Sequence, residues 1–388
     1  MRSIAHISAA CVAVMLFAPA IKSRFETSDV LIYLLPFALF SAAVIITNLV
    51  LKTSILKHLY VSLSYILIFL PPFIAFFIGD AQELTLLIKI GANCGLAVLI
   101  ILFPWDKNSI DTFFLFCSIL GAILAINTMM YLGTDADLDY ASDTEKTGYI
   151  TVSVAIGFGC IAGMYLIFEK FIPIHIVLFI LNWLGLALGR GRGAFLFGVV
   201  ISAAYLIFIL LSRNRSMTIL KRLGIAVFIV GFSPIVYQQL MSLGQNQSRW
   251  ERLFKDFDIE IDDGNRGSLL SEAIQKISEA PILGNGLGEY MMYDGHPHNI
   301  FLQFGVDAGV LGMLLLLLFI LKVAYVGINN ILLSDKYSHN LACGSILMFS
   351  FIFANMLKSG DAYLGRELFI LSSLPFVIFL IPRRTDPH

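Results

Sequence analysis

The sequence predicts an all-α polytopic membrane protein, with about twelve transmembrane helices in a single integral membrane domain over residues 1–388 and one long outer loop containing amphipathic helices. Three observations predict it. Hydrophobic residues make up 58% of the chain, charged residues 14%, and mean hydropathy is +0.84, far from the half-apolar, quarter-charged balance of soluble domains. Apolar runs of roughly 20 residues, the length a helix needs to cross a bilayer core of about 30 Å, follow one another through almost the whole sequence. Charge and turn residues gather between those runs, and one polar stretch is far longer than the others.

Taken in order, the expected spans are residues 4–21, 30–51, 59–79, 84–103, 109–133, 149–168, 172–188, 193–211, 223–243, 299–321, 339–357 and 367–382. The first follows a lone Arg2 and has the length of a signal peptide, but its cleavage site is weak and more spans follow, so it reads as a retained first helix. With the N-terminus in the cytoplasm, the inner loops carry Lys52, Lys57, Lys107, Lys170, the cluster Arg213/Arg215/Lys221/Arg222, Lys322, Lys336, Arg383 and Arg384. This obeys the positive-inside rule, and the opposite orientation would export the basic cluster. The same register puts Asp80, Glu83 and the acidic stretch 135–145 outside. All five cysteines fall inside apolar runs, with no C-x-x-C pair, so neither a disulfide framework nor a thiolate metal site is expected. The net charge of −1 says little about partners, since in a membrane protein the side each charge occupies matters more. Membrane lipids are expected partners and nucleic acid is not.

Two features depart from this pattern. Arg190 and Arg192 flank Gly191 at the outer junction of two apolar runs, where cations run against the inside bias. Residues 244–298, between the ninth and tenth spans, form the long outer loop. Within it, 248–257 (SRWERLFKDF) has Trp250, Leu253, Phe254 and Phe257 at helical spacing and basic residues on the other side, the pattern of a helix lying in the interface. A second amphipathic helix is expected over 268–280, with Leu269, Leu270, Ala273, Ile274 and Ile277 on one face, ended by Pro281 and Gly284. Arg266 stands just before it. Free backbone donors at a helix start and a guanidinium together suit a phosphate, while a solvated arginine in a turn is the plainer reading.

Where the loop re-enters the membrane the chain reads Gly295-His296-Pro297-His298-Asn299, and Asp307, Gly309 and Gly312 follow. A histidine titrates near neutral pH and can act as a general base, although a histidine at a membrane boundary is more often only polar punctuation. Gly305, Gly309 and Gly312 share a helix face and would let a neighbouring helix approach closely.

These residues resemble a known family. His298-Asn299, nine residues, Gly309, two residues, Gly312 is similar to the H-[NSQ]-x9-G-x2-G signature of the bacterial O-antigen ligase family, the Wzy_C superfamily. Upstream, Arg266, an amphipathic helix and Pro281-Ile282-Leu283-Gly284-Asn285-Gly286-Leu287-Gly288 resemble that family's arginine, helix and P-x-x-G-x-G-x-G run. Gly191-Arg192-Gly193-Ala194 resembles its S-R-G-A element, with glycine where serine is usual. The resemblance covers about residues 190–312.

What the resemblance implies is glycosyl transfer on the periplasmic face of the bacterial inner membrane, with both termini cytoplasmic. The donor is a glycan on undecaprenyl pyrophosphate. The acceptor is a sugar hydroxyl, in ligases that of lipid A-core, in lipopolysaccharide biosynthesis. His298 is the implied base, with His296 and Asn299 in support, and Arg192, Arg266 and more weakly Arg190 the implied diphosphate clamp. Asp307 falls on roughly the opposite helix face from His298 and is given a structural role. No cofactor and no metal are expected, though Asp256, Asp258, Asp262 and Asp263 leave a weak cation site open. An O-antigen or exopolysaccharide polymerase uses the same donor and is the alternative. A polysaccharide or lipid transporter or flippase is the alternative from another class. Transporters tend to show repeated halves and mid-span charges, whereas here charge concentrates in the outer loop and Lys89 lies near a helix end.

Overall fold

The computed structural model describes residues 2–25, 28–51, 61–79, 81–131, 146–189, 191–211, 266–289, 299–333, 338–359 and 365–381. Lipid offers a backbone no hydrogen-bond partner, so each apolar run satisfies its own N–H and C=O groups by coiling. The helices are α1 Arg2–Phe25, α2 Leu35–Leu51 entered through a π-helical turn Val30–Leu34, and α3 Ile66–Ile78 entered through a 3-10 turn Leu63–Tyr65. There follow α4 Leu84–Leu102, α5 Lys107–Met130, α6 Lys146–Glu169, α7 Pro173–Leu188 and α8 Arg192–Leu211. The last group is α9 Arg266–Glu279, α10 Ile300–Leu333, α11 His339–Ser359 and α12 Arg366–Leu380. Two short strands, β1 Ala81–Gln82 and β2 Gly286–Leu287, pair in parallel, Ala81 opposite Gly286 and Gln82 opposite Leu287.

Among the described residues, seven helices, α1, α2, α4, α5, α6, α10 and α11, contain a stretch long and apolar enough to cross a membrane, and three shorter apolar helices accompany them. The protein is an all-α membrane protein. Every expected span except 223–243 coincides with a described helix; that one, the amphipathic stretch 248–257 and the carboxylates Asp256, Asp258, Asp262 and Asp263 lie outside the described residues. One boundary differs clearly. The tenth span, expected to end at 321, continues as helix to Leu333, so Lys322 belongs to the helix and not to a loop.

Local signals account for several boundaries. Asp106 and Ser109 cap α5 reciprocally: the Ser109 N–H donates to Asp106 Oδ1 at 2.8 Å and the Asp106 N–H to Ser109 Oγ at 3.0 Å. Pro173 opens α7 at a position where its missing N–H costs nothing.

The chain forms two compact units, one of Met1–Ser8, Ala38–Ser109 and Asp263–His388, the other of Ala9–Phe37 and Ile110–Asp262. In the first, α10 packs on α3, α9, α11 and α12, while α4 packs on α12. Its core centres on Tyr65, whose ring meets Phe319 and Phe376 edge-on at 5.3 and 6.4 Å and whose hydroxyl lies 3.0 Å from Ser372 Oγ. In the second unit α6 packs on α7 and α8. Here the small-residue logic of membrane helices holds. The Asn182 Nδ2 donates to the Ser118 carbonyl at 2.9 Å, and a Cβ at Gly121 or Gly159 would fall 2.2 or 2.1 Å from Asn182 Oδ1. Gly185 lets α7 approach α5 so closely that a Cβ there would lie 2.2 Å from Ala125 Cβ.

Candidate active site

Helix α10 is broken. Gly309 has φ 66° and ψ −168°, a backbone region that only glycine occupies readily, and it divides α10 into a short half-helix, 300–308, and a long one, 310–333. A break leaves N–H groups without partners at the start of the second half. The loop after α9 supplies them: the Val310 N–H donates to the Pro281 carbonyl at 2.8 Å and the Leu311 N–H to the Ile282 carbonyl at 3.3 Å. In return, the Asn285 N–H donates to the Val306 carbonyl at 2.9 Å, a group at the end of the first half.

The loop can reach this far because its glycines take left-handed φ values, 77° at Gly284, 117° at Gly286 and 94° at Gly288. Gly284 closes the turn that follows α9, with its N–H on the Ala280 carbonyl at 3.0 Å, and lies against the chain at Asp307, where a Cβ would come within 2.3 Å of the Asp307 carbonyl. Gly309 faces back at the same loop: its Cβ would lie 2.5 Å from Ile282 C and 2.7 Å from Gly284 N. The two glycine motifs, far apart in sequence, form one interlocked joint. Beyond it, β2 pairs with β1, the Glu83 N–H donates to the Leu287 carbonyl at 3.1 Å, and Lys276 lies 3.4 Å from Glu289 and 3.1 Å from Glu279.

The expected glycine face therefore divides among three neighbours. Gly305 faces Ile277 of α9, Gly312 lies near Pro71 of α3, and Gly309 is the break. Within α9, Ala273 is buried and Ile277 half-buried, while Leu270 and Ile274 are exposed. Asp307 and Gln303 are fully buried in the short half-helix.

At the other end of that half-helix, Asn299 is its cap. Asn299 Oδ1 accepts from the Phe301 N–H at 2.9 Å and the Leu302 N–H at 3.3 Å, and its Nδ2 donates to the Leu357 carbonyl near the end of α11 at 3.1 Å. His298 and His296, just before it in the chain, lie outside the described residues, as does Arg190. Arg266 is the first residue of α9 and Arg192 the first of α8, positions whose N–H groups find no partner within their own helix. Arg266 and Asn299 belong to one compact unit and Arg192 to the other.

The turn before Arg192 contains a feature the sequence reading missed. Gly191 caps α8, its carbonyl accepting the Phe195 N–H at 3.1 Å, and its own N–H donates to Ser153 Oγ on α6 at 3.2 Å. A Cβ at Gly191 would lie 2.4 Å from Ser153 Cβ. A serine hydroxyl therefore does stand beside Arg192's backbone, contributed by α6 and not by position 191. Its only sequence signal was the glycine in place of serine. Asn285 was missed for a similar reason, being one polar residue among glycines. Among the described residues, no three His, Cys, Asp or Glu side chains group as a metal site would.

The fold and these joints define a class: a polytopic helical membrane protein with a broken helix locked by a glycine-rich loop. Comparison with protein families places it further. Residues 177–317, from α7 into the second half of α10, match the family model described as Wzy_C, O-antigen ligase. Over these residues the chain is similar to the O-antigen ligase family. No curated protein matches the chain.

Proposed function

We propose that the protein is an inverting, metal-independent glycosyltransferase of the bacterial inner membrane. It moves a glycan from undecaprenyl pyrophosphate to an acceptor sugar hydroxyl on the periplasmic side, and joins O-antigen to lipid A-core. The observation that carries this reading is the family match over 177–317, which encloses Arg192, Arg266 and the segment His296-Pro297-His298-Asn299.

The chemistry assigns a task to each residue. The acceptor oxygen attacks the anomeric carbon from the face opposite the diphosphate, the new C–O bond forms as the sugar–phosphate bond breaks, and configuration inverts. His298 takes the hydroxyl proton. The leaving diphosphate gains negative charge, and Arg192 and Arg266, with Arg190 in support, offset it; preorganised cations of this kind lower such barriers by several kcal/mol. Because each of Arg192 and Arg266 opens a helix, backbone donors point toward the same kind of anion. A diphosphate is already a good leaving group, so the arginines suffice without a metal. A polyprenyl tail stays in the bilayer during the reaction, which accounts for so apolar a transferase.

Deleting the gene and resolving the cell's lipopolysaccharide on a gel tests the reading. Loss of polymer from lipid A-core, with lipid-linked chains accumulating, is the expected result. A core bearing a single repeat would assign the chain to the polymerases instead, and unchanged lipopolysaccharide would refute the O-antigen assignment altogether.

A further inference from the structure

The short half-helix of α10 is fastened at both ends by asparagines. Asn299 caps its start and ties it to α11 through the Leu357 carbonyl. Asn285 holds its end: the side-chain Nδ2 donates to the Lys276 carbonyl in the last turn of α9 at 2.9 Å and to the Val306 carbonyl at 3.2 Å, while the Asn285 N–H donates to Val306 as well. One side chain thus joins α9 to the piece of α10 that Gly309 has cut loose. Without such ties, a helix this short is unstable by itself. We propose that Asn285 is a positioning residue for glycosyl transfer. It acts on His298 through residues 300–308, holding the far end of the half-helix whose Asn299-capped start follows His298 in the chain. The inference rests on the general-base reading of His298.

The geometry explains why an amide is needed. Both partners are carbonyls, so the side chain must donate twice, which asparagine does and aspartate does not. Losing both bonds weakens the hold on the far end of the half-helix, where the Asn285 N–H bond to Val306 remains, and a misplacement of about 1 Å at a reacting group costs on the order of 100-fold in rate.

The test compares Asn285→Ala with His298→Ala and the unsubstituted protein, purified and reconstituted with undecaprenyl-pyrophosphate-linked O-polysaccharide and lipid A-core. Rates are taken per folded molecule, as measured by size exclusion. Asn285→Ala is expected to lower kcat by about 10- to 100-fold while KM for donor and acceptor stays within about twofold. Should its folded yield fall, Asn285→Ser, which keeps one donor, is measured in its place and shows the same split at smaller amplitude. An unchanged kcat, or a loss confined to KM or yield in both variants, overturns the proposal. Full activity of His298→Ala would refute the general-base reading itself, whereas an inactive His298→Ala beside a fully active Asn285→Ala refutes the positioning role alone.

Discussion

Gly309→Ala strikes the joint between the two glycine motifs. The residue has φ 66° and ψ −168°, where an L side chain is strained by about 1–3 kcal/mol. The added methyl would also sit 2.5 Å from Ile282 C and O, so the loop must retreat. Retreat gives up the Val310 bond to Pro281 and the Leu311 bond to Ile282, each worth about 0.5–1.5 kcal/mol. The sum is about 2–6 kcal/mol, a factor of roughly 30 or more in the folding equilibrium at the lower end. The five buried cysteines provide the assay: a thiol-reactive fluorophore reports their exposure as detergent-solubilised protein is heated. Gly95→Ala in α4 is the control, because no atom lies within 4 Å of its added Cβ. The expected outcome is a clear drop in unfolding temperature for Gly309→Ala and no drop for Gly95→Ala. Equal unfolding temperatures for Gly309→Ala and the unsubstituted protein would refute the reasoning about the joint.

Other substitutions probe other links. Gly185→Ala forces a methyl to within 2.2 Å of Ala125 Cβ and should lower the unfolding temperature through the second unit, at a cost of about 1–3 kcal/mol for overpacking; unchanged stability would show that α5 and α7 can part freely. Gly191→Ala meets Ser153 Cβ at 2.4 Å and should reduce folded yield, with Ser153→Gly recovering part of it in the double variant; no recovery would remove the close approach as the cause. Arg192→Ala and Arg266→Ala are each expected to raise the donor concentration needed for half-maximal transfer by about 10-fold or more, as losing a charged contact to phosphate does, with acceptor dependence little changed. Unaltered donor dependence in both would contradict the diphosphate assignment.

Much of this fold was legible in the sequence because lipid leaves a chain few choices. Runs such as 84–103 and 339–357 read correctly from hydropathy, since an apolar segment in a bilayer must satisfy its own backbone. Hydropathy could not show the break at Gly309. A glycine in an apolar run is as easily a packing residue as a broken helix, and what decides is the distant pair of carbonyls at Pro281 and Ile282. Asn182 and Ser153 were invisible for the same reason, as each matters through a contact on another helix. The motif residues were found by resemblance, and the joint between the glycine-rich loop and α10 through Asn285 and Gly309 emerged from the structure.

The central claim is that an imidazole at the periplasmic boundary activates a sugar hydroxyl against a polyprenyl diphosphate donor. The measurement that tests it most directly is transfer by purified His298→Ala with undecaprenyl-pyrophosphate-linked O-polysaccharide and lipid A-core, at matched folded protein. The account predicts that product formation disappears while folding and membrane insertion are retained. Product formation at the rate of the unsubstituted protein would contradict it.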